Sequence, residues 1–187
     1  MDITYEEDVR QETVCEVARK MLAAARTAPK AKGTDLLVGC LLKKDAIGEV
    51  SEKLKEMVKR DKLPDFFLRD AVNLLSADAM VVLGTKIQSM GLNPCGMCGF
   101  SGCEEKNKHP GHPCVFNTGD LGIAVGSAVS VAMDNRVDNR VMYTAGQAIL
   151  EMGVLPVEVK IIYSIPLSVS GKNPFFDRDK DKLIKQA

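Results

Sequence analysis

Four cysteines, Cys95, Cys98, Cys103 and Cys114, fall within one short stretch with the spacing C-x2-C-x4-C-x10-C. The first three sit in the string Cys-Gly-Met-Cys-Gly-Phe-Ser-Gly-Cys. Thiolates at this spacing are ligands for a soft metal centre. The first pair comes from one tight turn, Cys103 adds a third sulfur from the same loop, and Cys114 closes the set after an excursion through Pro110, Gly111 and Pro113. Gly96, Gly99 and Gly102 let the backbone take positive φ, bring N–H groups close to sulfur and remove side chains that would collide with an inorganic core. Four cysteines are the usual complement of a 4Fe-4S or 2Fe-2S cluster. Zinc also takes four thiolates and stands as the alternative, although zinc ribbons more often carry two C-x2-C pairs and this chain has one. Free thiols or disulfides are a third reading. A cytosolic setting would disfavour disulfides.

The two histidines, His109 and His112, lie between the third and fourth cysteines. With four thiolates already available, they read as exposed histidines in a Lys-rich loop. Cys15 and Cys40 fall in a helical and a strand-like segment, so both read as buried structural cysteines. With the histidines confined to the insert, no Ser/His/Asp arrangement can be drawn, and the sequence designates no catalytic residue.

These ligands need a scaffold. From Thr13, the residues Val14, Val17, Ala18, Met21, Leu22 and Ala25 recur at helical spacing, with Thr13/Glu16 or Thr4/Glu7 as capping boxes. Pro29 and Gly33 end that helix in a loop, Thr27 to Asp35. Leu36 to Leu42 and Ala79 to Gly84 read as buried strands. Between them, Ile47, Val50, Leu54, Met57 and Val58 mark a helix, Arg60 to Pro64 a polar break, and Phe66 to Leu75 a shorter helix. Lys86 to Asn117 has no sustained period, and a structureless insert of that length in a compact domain needs something other than apolar burial to order it. A metal would do so. Leu121 to Ala132 is apolar or small on nearly every side and reads as a buried helix. Asp138 is placed to cap the next helix, with Val141, Ala145, Ala148, Ile149 and Met152 inward and Gly153 as its C-terminal cap. Val157 to Ile165 reads as a strand, and the tail from Ser168 to Ala187 is polar except for Phe175 and Phe176.

Alternating helices and strands predict an α/β layered architecture, with helices packed on a small mixed sheet. The 187 residues, 45% of them hydrophobic, are expected to form one domain, 1–187, with the insert at about 86–117. The 25 Lys and Arg cancel the 25 Asp and Glu. No basic run supports attachment to nucleic acid or to an anionic membrane. The acidic N-terminus and short apolar runs predict a soluble cytoplasmic protein. Three strands make a small sheet for this length, so either a fourth is hidden or a homodimer completes the core.

The cysteine string resembles the C-G-x-C-G-x-x-x-C pattern of 4Fe-4S modules in anaerobic electron-transfer and corrinoid proteins. Over nearly its whole length the chain is similar to a family of uncharacterised prokaryotic proteins containing a ferredoxin-like domain. Two further stretches resemble the FMN-dependent nitroreductase fold: Ala-Ala-Ala-Arg-Thr-Ala-Pro-Lys with the strand after it, and Asp120-Leu-Gly-Ile-Ala through the Val157 to Ile165 strand. That resemblance implies a nitroreductase-like layered sheet and a homodimer with FMN between subunits. It also implies basic residues on the flavin phosphate. Ala28 and Pro29 match the family, Lys30 stands where it usually has Ser, and its Arg-rich motif before the first helix is absent. Arg26, Lys30 and Lys32 are therefore the candidates for an anionic cofactor, with solvated loop charges as the competing reading.

The combined expectation is an iron-sulfur redox protein that passes single electrons to a partner protein or to bound flavin. Two alternatives stand beside it. One is a flavin oxidoreductase with a structural zinc clip. The other is a non-enzymatic binding protein whose metal-ordered loop recognises a partner through Lys106 and Lys108.

Overall fold

The fold is organised by strand β2 (Ala79–Lys86), seven of whose eight residues are buried. Successive side chains of a strand point to opposite faces, so a strand buried along its length needs a packed layer on each side. In this computed structural model, which describes residues 2–178, both layers are helical. Val81 and Leu83 enter a core with helix α1 (Glu6–Thr27) and helix α5 (Val115–Asp134). Met80 and Val82 enter a second core with α2 (Lys44–Asp61), α3 (Asp65–Leu74) and α6 (Tyr143–Met152). The expected α/β layered sheet is present.

The sheet has four strands in the order β1-β2-β4-β3, with β1 at Leu37–Lys43, β3 at Asp138–Asn139 and β4 at Val159–Ser168. Every pairing is antiparallel, which corrects the expectation of a mixed sheet. Two helices, not one, lie between β1 and β2, so the chain returns to the end of the sheet that it left and β2 runs back beside β1. The hidden fourth strand is β3, a two-residue edge against Leu167 and Ser168. Asp138 therefore pairs in the sheet and does not cap α6, and Met142 occupies the cap position. Val141 is exposed rather than inward, and Val157 is exposed and lies before β4, which starts at Val159. Gly153 does end α6 in the left-handed conformation, with φ of 66°.

Helix α1 starts at Glu6, so neither proposed capping box forms. Tyr5 is the N-cap, the acidic Glu6, Glu7 and Asp8 complement the helix dipole, and Thr13 donates to Val9 O within the helix at 3.0 Å. Cys15 lies in the first core and Cys40 packs against the second. Burial pushes both thiols up, as expected of structural cysteines.

Helix α5 is long and apolar enough to cross a membrane by length and composition. Its Leu121, Ala124, Val125, Ala128 and Ala132 instead pack in the first core.

The tail is tied down by a buried carboxylate. Asp70, 3% exposed, accepts from Arg69 at 2.7 Å and from Thr144 Oγ1 at 2.8 Å. Arg140, 3.4 Å from Asp70, also donates to Phe175 O at 2.9 Å, and Asn73 Nδ2 donates to the same carbonyl at 3.2 Å. Phe175 is thereby seated in the second core, while Phe176 stays exposed. Residues 179–187 of the polar tail lie outside the described residues.

Helix α6 approaches β4 so closely that a Cβ on Gly146 would lie 2.2 Å from Ile162 O. The obstacle is backbone, which cannot rotate away. Gly146→Ala should therefore lower stability by about 2 kcal/mol, read as a fall in Tm. Gly122→Ala on α5, where nothing lies within 4 Å, should not.

Candidate functional site

The cysteine insert leaves the sheet after β2 and re-enters the fold at α5, and one side chain clamps both ends. Asn117 is 1% exposed. Its Oδ1 accepts from Gln88 N and from Cys114 N, each at 3.1 Å, and its Nδ2 donates to Gln88 O at 3.0 Å. Three backbone groups from the two mouths of the loop thus converge on one amide. Ser89 Oγ adds a bond to Asn107 Oδ1 at 2.6 Å. No motif drew attention to Asn117. Its only sequence signal is a polar residue in the first turn of a helix that follows a cysteine.

Cys114 is the N-cap of α5 and is buried. Cys103 is the first residue of the short helix α4 (Cys103–Asn107). Cys95 precedes and Cys98 lies within a turn in which Gly99 N donates to Gly96 O at 2.9 Å, and Gly96 and Gly99 take φ of 153° and 89°. Gly96 and Gly99 do what their positions imply, since an L side chain rarely adopts these angles, whereas Gly102 is extended, with φ of 173°, and corrects the expectation for that position. Cys95 and Cys103 line one hollow of about 350 Å³ with Pro94, Gly102 and Glu104. Cys98 and Cys114 are not part of its lining. Among the described residues no three His, Cys, Asp or Glu side chains gather at metal-binding distance. All six cysteines are free thiols. The donor chemistry therefore suits a four-thiolate centre, and the loop around it is open: a Cβ at Gly99 or Gly102 would meet nothing within 4 Å.

The histidines are exposed, as expected, and are occupied with ring packing. His109 stacks on Phe100 at 5.1 Å, and His112 meets Phe100 edge-on at 5.5 Å. Lys108 pairs with Glu105 at 2.7 Å. Lys106 is only 4% exposed, which removes it from any surface that recognises a partner. That corrects the reading of Lys106 and Lys108 as a joint recognition pair.

The three basic candidates for an anionic cofactor are each engaged by the chain itself. Lys30 Nζ donates to the carbonyls of Ala25, Arg26 and Ala28 at 3.3, 2.7 and 2.8 Å, neutralising the carboxyl end of α1. Arg26 donates to Asp35 at 2.6 Å and to Leu37 O at 2.8 Å. Burial alone would raise the Asp35 carboxyl. The Arg26 guanidinium and the Leu37 N–H outweigh it and hold the group below the usual carboxylate range. Lys32, in the left-handed region at φ 55°, donates to Met90 O at 3.0 Å. The bond from Lys32 joins the 30s loop to the cysteine insert, and Ala31 N joins it to α5 through Asp120 Oδ2 at 3.1 Å.

Loop, insert and helix enclose an open, mainly apolar hollow of about 410 Å³. Pro29, Lys30 and Ala31 form one wall, Phe116 and Ile123 of α5 another, and Met97 of the cysteine turn overhangs it. Met97 lies between Cys95 and Cys98, and Cys114 immediately precedes α5. Cys98 and Cys114 are thus the chain neighbours of two lining residues, Met97 and Val115, and no cysteine lines the hollow itself.

Two predictions follow from this geometry. With a thiol-alkylating reagent on metal-free protein, the half-exposed Cys95, Cys98 and Cys103 should react first. Cys114 and Cys15, which are buried, should be slower by at least about tenfold, because burial restricts access to the thiolate, and peptide mass analysis of quenched samples gives the order. Asn117→Leu should strand the buried N–H of residue 114, remove the partner of the half-buried N–H of residue 88, and cost about 2 kcal/mol. Limited proteolysis should then cut first within residues 88–114.

Comparison with known proteins bears on this arrangement. A family model described as "Uncharacterized protein containing a ferredoxin domain (DUF2148)" matches residues 110–178, a stretch that includes Cys114 but not the first three cysteines. An uncharacterized protein from Archaeoglobus fulgidus is 35% identical over 185 residues, covering 95% of this chain and 98% of its own. Among solved structures, a nitroreductase with bound FMN from Desulfitobacterium hafniense superposes with a TM-score of 0.58 at 15% identity, over 89% of this chain and 84% of that one. A nitroreductase family protein from Clostridium novyi gives 0.57 at 14%, over 82% and 73%. A BluB-like flavoprotein from Clostridium difficile gives 0.55 at 19%, over 92% and 84%. The fold is accordingly nitroreductase-like, and the chain belongs to the family of uncharacterized proteins containing a ferredoxin domain.

Proposed function

We propose that this protein is an iron-sulfur redox protein in which Cys95, Cys98, Cys103 and Cys114 hold one cluster of the 4Fe-4S type. The observation that carries the reading is the set of four free thiols on one glycine-rich loop clamped at both mouths by Asn117. The family description, which names a ferredoxin domain, supports it. When bound, a cluster supplies a one-electron centre. The chain's own part is to anchor one thiol at the start of α5, to offer the others from a loop that can close around a metal, and to present backbone N–H groups at Gly96 and Gly102. Ligand sets of this kind commonly complete themselves on metal binding, since the site is rarely preformed.

The apolar hollow beside Met97 favours a second component, a flavin that would receive or supply electrons next to the cysteine loop. FMN-bound neighbours of the same fold support this addition. With Arg26, Lys30 and Lys32 engaged inside the subunit, a flavin phosphate would have to find its charge elsewhere. A homodimer fits that need. It is supported by exposed apolar residues on α5, Ile123 at 47% and Met133 at 61%. A reducing compartment such as the cytoplasm would keep the thiols available, and a redox partner protein would serve where no flavin is held.

The test is purification without oxygen, with iron, sulfide, zinc and flavin quantified on one sample and spectra taken before and after dithionite. Near-equal iron and sulfide with a brown band that bleaches is the expected result. Cys98→Ser should lose most of the iron and Cys15→Ser should keep it. Stoichiometric zinc in a colourless sample, or equal iron in both variants, refutes the assignment.

A further inference from the structure

Lys30 and Asp120 are the two ionisable residues that line the hollow between the 30s loop, the cysteine turn and α5. They differ in what they can still bind. Lys30 directs its ammonium to the carbonyls of Ala25, Arg26 and Ala28, which uses every N–H it has. No donor is left for a ligand. A carboxylate accepts at several positions on its two oxygens, and Asp120 uses one, through Oδ2 to Ala31 N at 3.1 Å. Among the described residues Oδ1 has no partner and no buried side-chain oxygen lacks one, so Oδ1 is open to solvent. Anchoring the 30s loop accounts for only one of the two oxygens.

An open acceptor in a mainly apolar space sets the chemistry of what can fill it. A ligand that covered the carboxylate without bonding it would remove its water with no compensation. The occupant must therefore be apolar in body and carry an N–H donor. A phosphate would find no donor on either ionisable side chain. The volume of about 410 Å³ is within the range of small-molecule sites, and Pro29, Met97, Phe116 and Ile123 supply apolar contact. We propose that Asp120 is the residue that selects and orients a flavin ring in this hollow, its free oxygen accepting the N–H of the ring's imide edge. This rests on the flavin reading above and names the contact that would choose the ring. It transfers recognition from the basic residues Arg26, Lys30 and Lys32 to a carboxylate on α5.

The test is fluorescence titration of the full-length protein with two probes. Lumiflavin has the ring without a phosphate, and 3-methyllumiflavin lacks the imide N–H. Wild type should bind lumiflavin at least about tenfold more tightly, as expected for a hydrogen bond to a charged group. Asp120→Asn keeps an oxygen for Ala31 N and turns its amide N–H to the ligand, so the preference should vanish while Tm stays near wild type. Asp120→Glu keeps the charge but displaces it, and should weaken lumiflavin while leaving 3-methyllumiflavin unchanged. Equal affinities for the two probes in wild type overturn the inference. So does a preference that persists in Asp120→Asn, or an equal loss of both probes in Asp120→Glu. If wild type binds neither ring, the flavin reading falls with it, and the iron and sulfide content is read independently of both.

Discussion

Both faces of β2 must be kept from water, and most of the architecture follows from that constraint. Burying each face of the strand demands a helical layer on each side, which α1 with α5 and α2 with α3 and α6 provide. Two cores on either side of one strand cannot be repacked independently. A shift of β2 along its axis would alter its register with both β1 and β4, and a slip of one residue would exchange the side chains of the two cores. The cysteine insert begins at the end of this strand, so the most constrained element of the fold delivers the least regular one.

The insert behaves as a separate problem in ordering. It has little apolar area to bury and obtains its shape from polar bonds at its mouths, ring packing among Phe100, His109 and His112, and one short helix. Such a loop keeps freedom where a metal would need it, at the glycine-bearing turn between Cys95 and Cys103. It is rigid where Cys114 joins α5. For a metal held between Cys114 at the start of α5 and the three cysteines before it, affinity and ordering of the insert would be one free energy.

The neighbouring 30s loop shows how local chemistry can look like a ligand site and serve the fold. Lys30 closes the carboxyl end of α1, Arg26 braces Asp35 and the start of β1, and Lys32 reaches the insert through Met90 O. Three basic groups in seven residues resemble an anion cradle in sequence. In space each is drawn to a different carbonyl or carboxylate. What they create instead is the wall of an apolar hollow that meets the cysteine turn at Met97.

Much of the architecture was legible from the chain alone, because period and burial are local: the helices around Val14 to Ala25, Ile47 to Val58 and Leu121 to Ala132, the strands β1, β2 and β4, and the irregular character of 86–117. The cysteine-and-glycine composition of the insert was legible for the same reason, since spacing within one loop is written in sequence. The two-residue strand β3 carried no periodic signal and exists only because β4 offers it an edge. The antiparallel sense of the sheet depended on how many helices intervene between strands that pair. Tertiary structure alone decided that Asn117 would join the mouths of the insert and that Arg26, Lys30 and Lys32 would be engaged inside the subunit. In each case the partner comes from a different segment or from the path of the backbone, and no spacing along the chain encodes where a distant carbonyl, carboxylate or empty space will lie.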